Sequence, residues 1–170
     1  MTEFSRVVSV ARLPAGGAHY DISANEAERA ALAVRFGLVA IDRLAADVRL
    51  FGEAGGVRLE ARLEADIVQE CVVSLTKFEA SAVDSFGLLY RTEEKAEREI
   101  DISPEDDIEI LCGDEIDIGE AVAQQLSLVL DPHPRAPGVD AGPLGNPAEN
   151  EDPLEVKHPF AKLAALKSKN

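Results

Sequence analysis

The stretch CVVSLTKFEA, residues 71–80, begins with a cysteine and carries a serine three places on, where a zinc or redox site would place a second thiol. A structural zinc site needs four thiolates or imidazoles brought close by paired spacings. Here Cys71 is followed by Ser74, Cys112 stands alone, and His19, His133 and His158 are scattered through segments that read as loops. The ligand count fails, so no metal site is expected and Cys71 reads as a small apolar side chain in a strand. Nucleophilic catalysis finds no G-x-S-x-G elbow and no histidine in a context that would orient it toward a nucleophile, so no catalytic residue and no enzyme activity are expected. The acidic run DISPEDDIEILCGDE invites calcium, but the sixth position counted from Asp101 is Asp106, where an EF-hand loop requires glycine. No Gly-rich phosphate loop occurs, and no cofactor is expected.

What remains is charge. Of 170 residues, 32 are acidic and 17 basic, a formal net charge of −15. Residues 93–120 hold thirteen acids against Lys95 and Arg98. Affinity for nucleic acid comes largely from lysines and arginines that neutralise phosphates, so such a surface repels RNA unless positive charge is grouped elsewhere. One reading is a solubilising face; the sharper one is a dock for a basic protein. No apolar run reaches the length of a membrane span, and ALAVRFGLVAI is cut by Arg35, so no membrane partner is expected. Two separated cysteines fit a reducing cytoplasm.

The elements that would carry this charge follow from periodicity. FSRVVSV alternates as a short strand, then Pro14, Gly16 and Gly17 break it. Ser23 and Glu26 have capping-box spacing before Ala27, Ala30, Ala31 and Val34, which predicts a helix over 24–36. Leu44, Ala46, Val48 and Leu50 share one strand face, and Gly55 with Gly56 supplies a turn. VRLEARLEADI then puts Val57, Leu59, Ala61, Leu63, Ala65 and Ile67 on a core face, with Arg58, Glu60, Arg62, Glu64 and Asp66 in water. Cys71, Val73 and Leu75 continue the odd register, although Gln69 interrupts it and implies a nearby bend. A strand over 80–91 and a short one at Ile108 and Ile110 follow. Asp117 with Glu120 caps a second helix whose face is Ile118, Val122, Leu126 and Val129, and Pro132 ends it. The expected fold is α+β: a mainly antiparallel sheet, for which closure into a barrel is one arrangement, two packed helices, and a short C-terminal helix.

Residues 1–137 read as a single domain. Six of the nine prolines lie between residues 132 and 153, so 138–156 reads as a linker, followed by a basic tail at 157–170. That tail has four lysines and no acid, with Phe160, Leu163 and Leu166 at helical spacing and Pro159 suited to the first helical position. A helix so short orders by docking, on its own domain or on a partner.

DEIDIGEAVAQQLSLVLDPHPRAPG followed by HPFAKLAALK closely resembles the YceD-like family, named for large ribosomal RNA subunit accumulation, and FSRVVSVARLP with ANEAERAALAVRFGL resembles a variant of it. Many members carry a C-x-x-C pair after the central strand and further cysteines near the C-terminus, suggesting a metal site in those relatives. This sequence keeps Cys71, has Ser74 at the second place and no cysteine after Cys112, so a zinc-dependent property does not transfer. The resemblance implies a cytoplasmic factor for large-subunit ribosomal RNA levels, without an established catalytic residue. Combined with the charge, it points to a basic ribosomal protein or assembly factor as partner. The expected contact residues are Glu105, Asp106, Asp107, Glu109, Asp114, Glu115 and Asp117, with Phe160, Lys162, Leu163 and Lys167 of the tail. The competing reading is direct binding of ribosomal RNA through Arg135 and the tail lysines.

Overall fold

The computed structural model describes residues 3–53, 56–91, 107–111 and 113–139. The chain divides into two units, Met1–Pro137 and Gly138–Asn170, and every element below belongs to the first. The expected C-terminal helix, and all but the first two residues of the expected linker, lie outside the described residues.

Strand β1 (Val7–Ser9) runs into a single 3-10 turn, Val10–Arg12, and is followed by β2 (Ala18–Ser23), α1 (Glu26–Phe36), β3 (Ala40–Glu53), β4 (Gly56–Glu70) and β5 (Lys77–Arg91). After these come β6 (Asp107–Ile110), β7 (Glu115–Asp117) and α2 (Ile118–Val129). One sheet has the order β2-β3-β4-β5-β6, antiparallel except for the parallel β5–β6 pair. A second sheet is the antiparallel pair β1–β7. The architecture is α+β as expected, but the sheet does not close among the described residues: β2 and β6 stand at its two edges, and β1 and β7 leave it to pair with each other. Both edge strands are short, as edges that avoid pairing with other chains commonly are.

Strict alternation built the long strands. Even residues of β3 from Leu44 to Leu50 and odd residues of β4 from Val57 to Ile67 are buried on one face. Leu32 and Ala33 of α1, and Val122, Ala123 and Leu126 of α2, join that face in one hydrophobic cluster, so the domain is helices on one side of a sheet. The opposite face is partly exposed and carries most of the charge of these strands.

Local chemistry decided three boundaries differently from periodicity. Ser23 lies in β2, paired with Ala45, and cannot cap; Asn25 caps α1 instead, in a reciprocal box with Glu28. Gln69 keeps the core register of β4 and is buried, and the bend expected near it comes at residues 71–76. Beyond Glu70 the odd register ends: Cys71 is buried, whereas Val73 is 47% and Leu75 70% exposed. Residues 71–76 form the hairpin loop demanded by the Glu70–Lys77 pairing, closed by the Cys71 N–H to the Thr76 carbonyl, with Leu75 at φ 57.

The N-terminus is held by buried Phe4. Its carbonyl oxygen would lie only 2.7 Å from a Cβ on Gly119, so glycine lets the first turn of α2 approach this chain. Arg6 forks onto Glu28 at 2.7 and 2.9 Å, and Arg35 forks onto Glu120 at 2.8 and 3.0 Å while reaching Glu3 at 3.1 Å, tying α1 to β1 and α2.

Candidate functional site

The expected acidic contact residues separate into three groups. Asp107 and Glu109 lie on edge strand β6, beside Leu88 and Tyr90 of β5; Asp107 is exposed and Glu109 half-buried. Asp114 and Glu115 are exposed at the start of the β7 ribbon, where the Asp114 carbonyl accepts from the Val10 N–H at 2.8 Å. Glu105 and Asp106, together with Phe160, Lys162, Leu163 and Lys167, lie outside the described residues.

Asp117 is engaged within the fold. Its carboxylate accepts from the Ser5 hydroxyl at 2.6 Å, the Arg6 N–H at 2.7 Å, and the Gly119 and Glu120 N–H groups at 3.1 and 3.2 Å, so it caps α2 and fastens the N-terminal chain at once. Burial pushes its pKa up, but these four donors outweigh that and hold it below the usual aspartate value. The Tyr90 phenol is driven up first by burial and then by the charges of Glu109 and Asp117.

Positive charge is spread over the exposed sheet face, where each arginine meets an acid. Arg43 and Arg62 both reach Glu64, at 3.5 and 3.6 Å, Arg58 is ion-paired with Glu53, and Arg49 lies across from Glu60 in the strand register. Cross-strand opposite charges of this kind stabilise a sheet by roughly 0.2–1 kcal/mol each, and they interleave carboxylates with the arginines of this face. At the β2 edge, His19 Nε2 lies 2.6 Å from Asp47 and Asp21 is paired across from Asp47, so three potential ligand atoms lie within 4.8 Å of one another. Sequence reasoning treated His19 as a loop residue; the alternation of His19 and Asp21 with Tyr20 and Ile22 was the available signal. The three side chains are partly or fully exposed, and Arg62 already faces Asp47.

Cys71 is buried and unbridged, with the Ser74 N–H 3.4 Å from its sulfur. The Ser74 hydroxyl, then the N–H groups of Ala136, Ser74 and Val73, draw its thiol down to about 6. The side chain is therefore a core residue, as expected, but it sits in a turn and not a strand, and it is polarised by donors that an ordinary buried thiol lacks.

A groove runs along the segment that follows α2. The 130–135 segment crosses the end of β4, its Pro134 carbonyl accepting from the Val72 N–H at 2.9 Å. A groove of about 500 Å³ between this segment and the C-terminal end of α1 is lined by Phe36, Leu38, Val72, Leu130 and Pro134. Gln69, Glu70, Ser127 and Asp131 are its polar side chains. A smaller groove of about 370 Å³ on the other flank shares Gln69, Leu130, Asp131 and Pro134. No signal beyond the misplaced Gln69 marked this site in the sequence.

The profile of a family described as "Large ribosomal RNA subunit accumulation protein YceD" matches residues 59–167, which takes in β4, β5, β6, β7, α2 and the region beyond them. No curated protein and no solved structure matches the chain.

Proposed function

The chain belongs to the YceD family, and from that premise we propose that it supports accumulation of large-subunit ribosomal RNA in the cytoplasm without catalysing a reaction, by binding a basic ribosomal protein or assembly factor. The observation that carries this reading is the layout of charge. Asp107, Asp114 and Glu115 are exposed at the β6 edge and beside the β7 ribbon, with Glu109 half-buried among them, while the arginines of the open sheet face are interleaved with Asp47, Glu53, Glu60, Glu64 and Asp66. An anionic rim of this kind speeds encounter with a cationic polypeptide and opposes approach of polyphosphate. No helix among the described residues is long and apolar enough to cross a membrane.

The test is a pull-down from native extract with the full chain and with a chain lacking residues 157–170, reading both protein and RNA. Recovery of a basic ribosomal protein, weakened by charge reversal at Asp114 and Glu115, is the expected result. Salt-sensitive binding of bare ribosomal RNA fragments, unaffected by those reversals, would replace it with direct RNA recognition through Arg135 and the tail lysines.

A further inference from the structure

Gln69 occupies a core position of β4 yet is polar, 7% exposed, and makes no side-chain hydrogen bond among the described residues. Its carboxamide atoms, unpaired within the fold, are not sealed from solvent and keep an open edge at the grooves they line. Leucine in the same place would extend the apolar run of Leu63, Ala65 and Ile67. Gln69 is also the polar residue common to the two grooves that flank the 130–135 segment, together with Asp131. A carboxamide presents one acceptor and a pair of donors, the complement of a peptide group's N–H and C=O.

The geometry points to the larger groove as a docking site for an extended, lysine- or arginine-bearing polypeptide segment of a partner, one of whose main-chain peptide groups pairs with the Gln69 carboxamide. Phe36, Leu38, Val72, Leu130 and Pro134 provide an apolar floor for alternate side chains, as extended ligands require. The charged residues of the lining, Glu70 and Asp131, are both acids, which selects a basic occupant. The Val72 N–H and the Pro134 carbonyl already bond to each other, so the floor is formed before the ligand arrives and little ordering is needed. The basic character of the partner rests on the protein-binding reading above; the main-chain recognition by Gln69 does not.

The experiment uses the full chain labelled with ¹⁵N and a capped hexapeptide of alternating lysine and leucine as probe. The Gln69 side-chain amide resonances are expected to move on titration. Affinity is expected to fall about tenfold for Gln69→Leu, for a peptide N-methylated on its backbone, and for a glutamate–leucine counterpart. Gln69→Leu loses no internal hydrogen bond and is expected to unfold at no lower denaturant concentration than the parent. Gln69→Met, which keeps the side-chain length, provides a second variant should leucine disturb packing. Unmoved Gln69 resonances, or undiminished affinity in both variants, would overturn the proposal. So would movement of those resonances by an oligoribonucleotide and not by the peptide, or a nuclear Overhauser contact between Gln69 and Phe160 in the free chain, which would make the tail the occupant. If extracts yield a basic ribosomal protein while both variants keep full peptide affinity, the groove fails and the acidic-surface reading stands. If they yield RNA alone while the Gln69 effects persist, the groove stands and that reading fails.

Discussion

Replacing Asp117 by alanine removes four accepted hydrogen bonds at a junction of three elements. Loss of the α2 cap costs about 1 kcal/mol. The Ser5 hydroxyl can turn to water, but the partly buried Arg6 N–H loses a charged acceptor, worth roughly 2 kcal/mol more. The expected destabilisation near pH 7 is therefore about 3 kcal/mol, which at a urea slope of about 1.5 kcal/mol/M moves the midpoint down by about 2 M. The pH dependence has a definite sign. Because the folded-state pKa of Asp117 is depressed, the carboxylate stabilises the fold above the ordinary aspartate range and loses that effect as pH falls through its lower folded value. Urea titrations of parent and Asp117→Ala should thus differ most at neutral pH and converge in acid. A difference below about 0.5 kcal/mol at pH 7, or one that stays constant into acid, would refute the role assigned to this side chain.

Gly119→Ala ordinarily strengthens a helix by up to about 1 kcal/mol, yet here its Cβ would meet the Phe4 carbonyl at 2.7 Å, so a net loss of about 2 kcal/mol in urea titration is expected. Arg35→Met breaks the partly exposed forks to Glu120 and Glu3 and should cost about 1 kcal/mol in dilute buffer, shrinking in molar salt. Cys71 should titrate near pH 6 by thiolate absorbance at 240 nm; since its folded pKa lies below the unfolded value of about 8.5, the pH-dependent part of the stability it adds over Cys71→Ala should be full above that value and gone below about 6, leaving only the packing part.

β3 and β4 were legible because one-sided burial leaves a period of two, and the charged alternates on β4 sharpened it. α2 was legible because its cap, apolar face and following proline agree. The misses share a cause: pairing with a distant strand leaves little local trace. β1 and β7 are three residues each and meet as Val7 with Asp117, so neither shows enough alternation to declare a partner. β2 hid behind a glycine turn and carries His19 and Asp21 on its open face. The 71–76 loop kept an apolar odd register while the hairpin, fixed by Glu70 opposite Lys77, had already turned the chain. Of the candidate site, individual acids were readable, but their roles were not. Asp117 and Asp114 have the same side chain; only the positions of Ser5, Arg6 and the start of α2 make the first a structural anchor and leave the second at the surface.

The sheet face bears on which class of partner electrostatics can select. Four arginines on β3 and β4 would suffice to hold a phosphate backbone if they stood free, and the sequence spacing of Arg58 and Arg62 alone would permit it. Register places Glu60 across from Arg49 and Asp47 across from Arg62, and Glu64 and Glu53 ion-pair with Arg43, Arg62 and Arg58, so a phosphate entering this face meets carboxylates interleaved with the guanidiniums and their repulsion. A cationic polypeptide meets no such competition at Asp107, Asp114 or Glu115, which are exposed and, unlike Asp117, are not drawn into a cap. On the proposed reading, overall charge sets the sign of the encounter, and the carboxylates interleaved on the sheet face keep the arginines from reversing it locally.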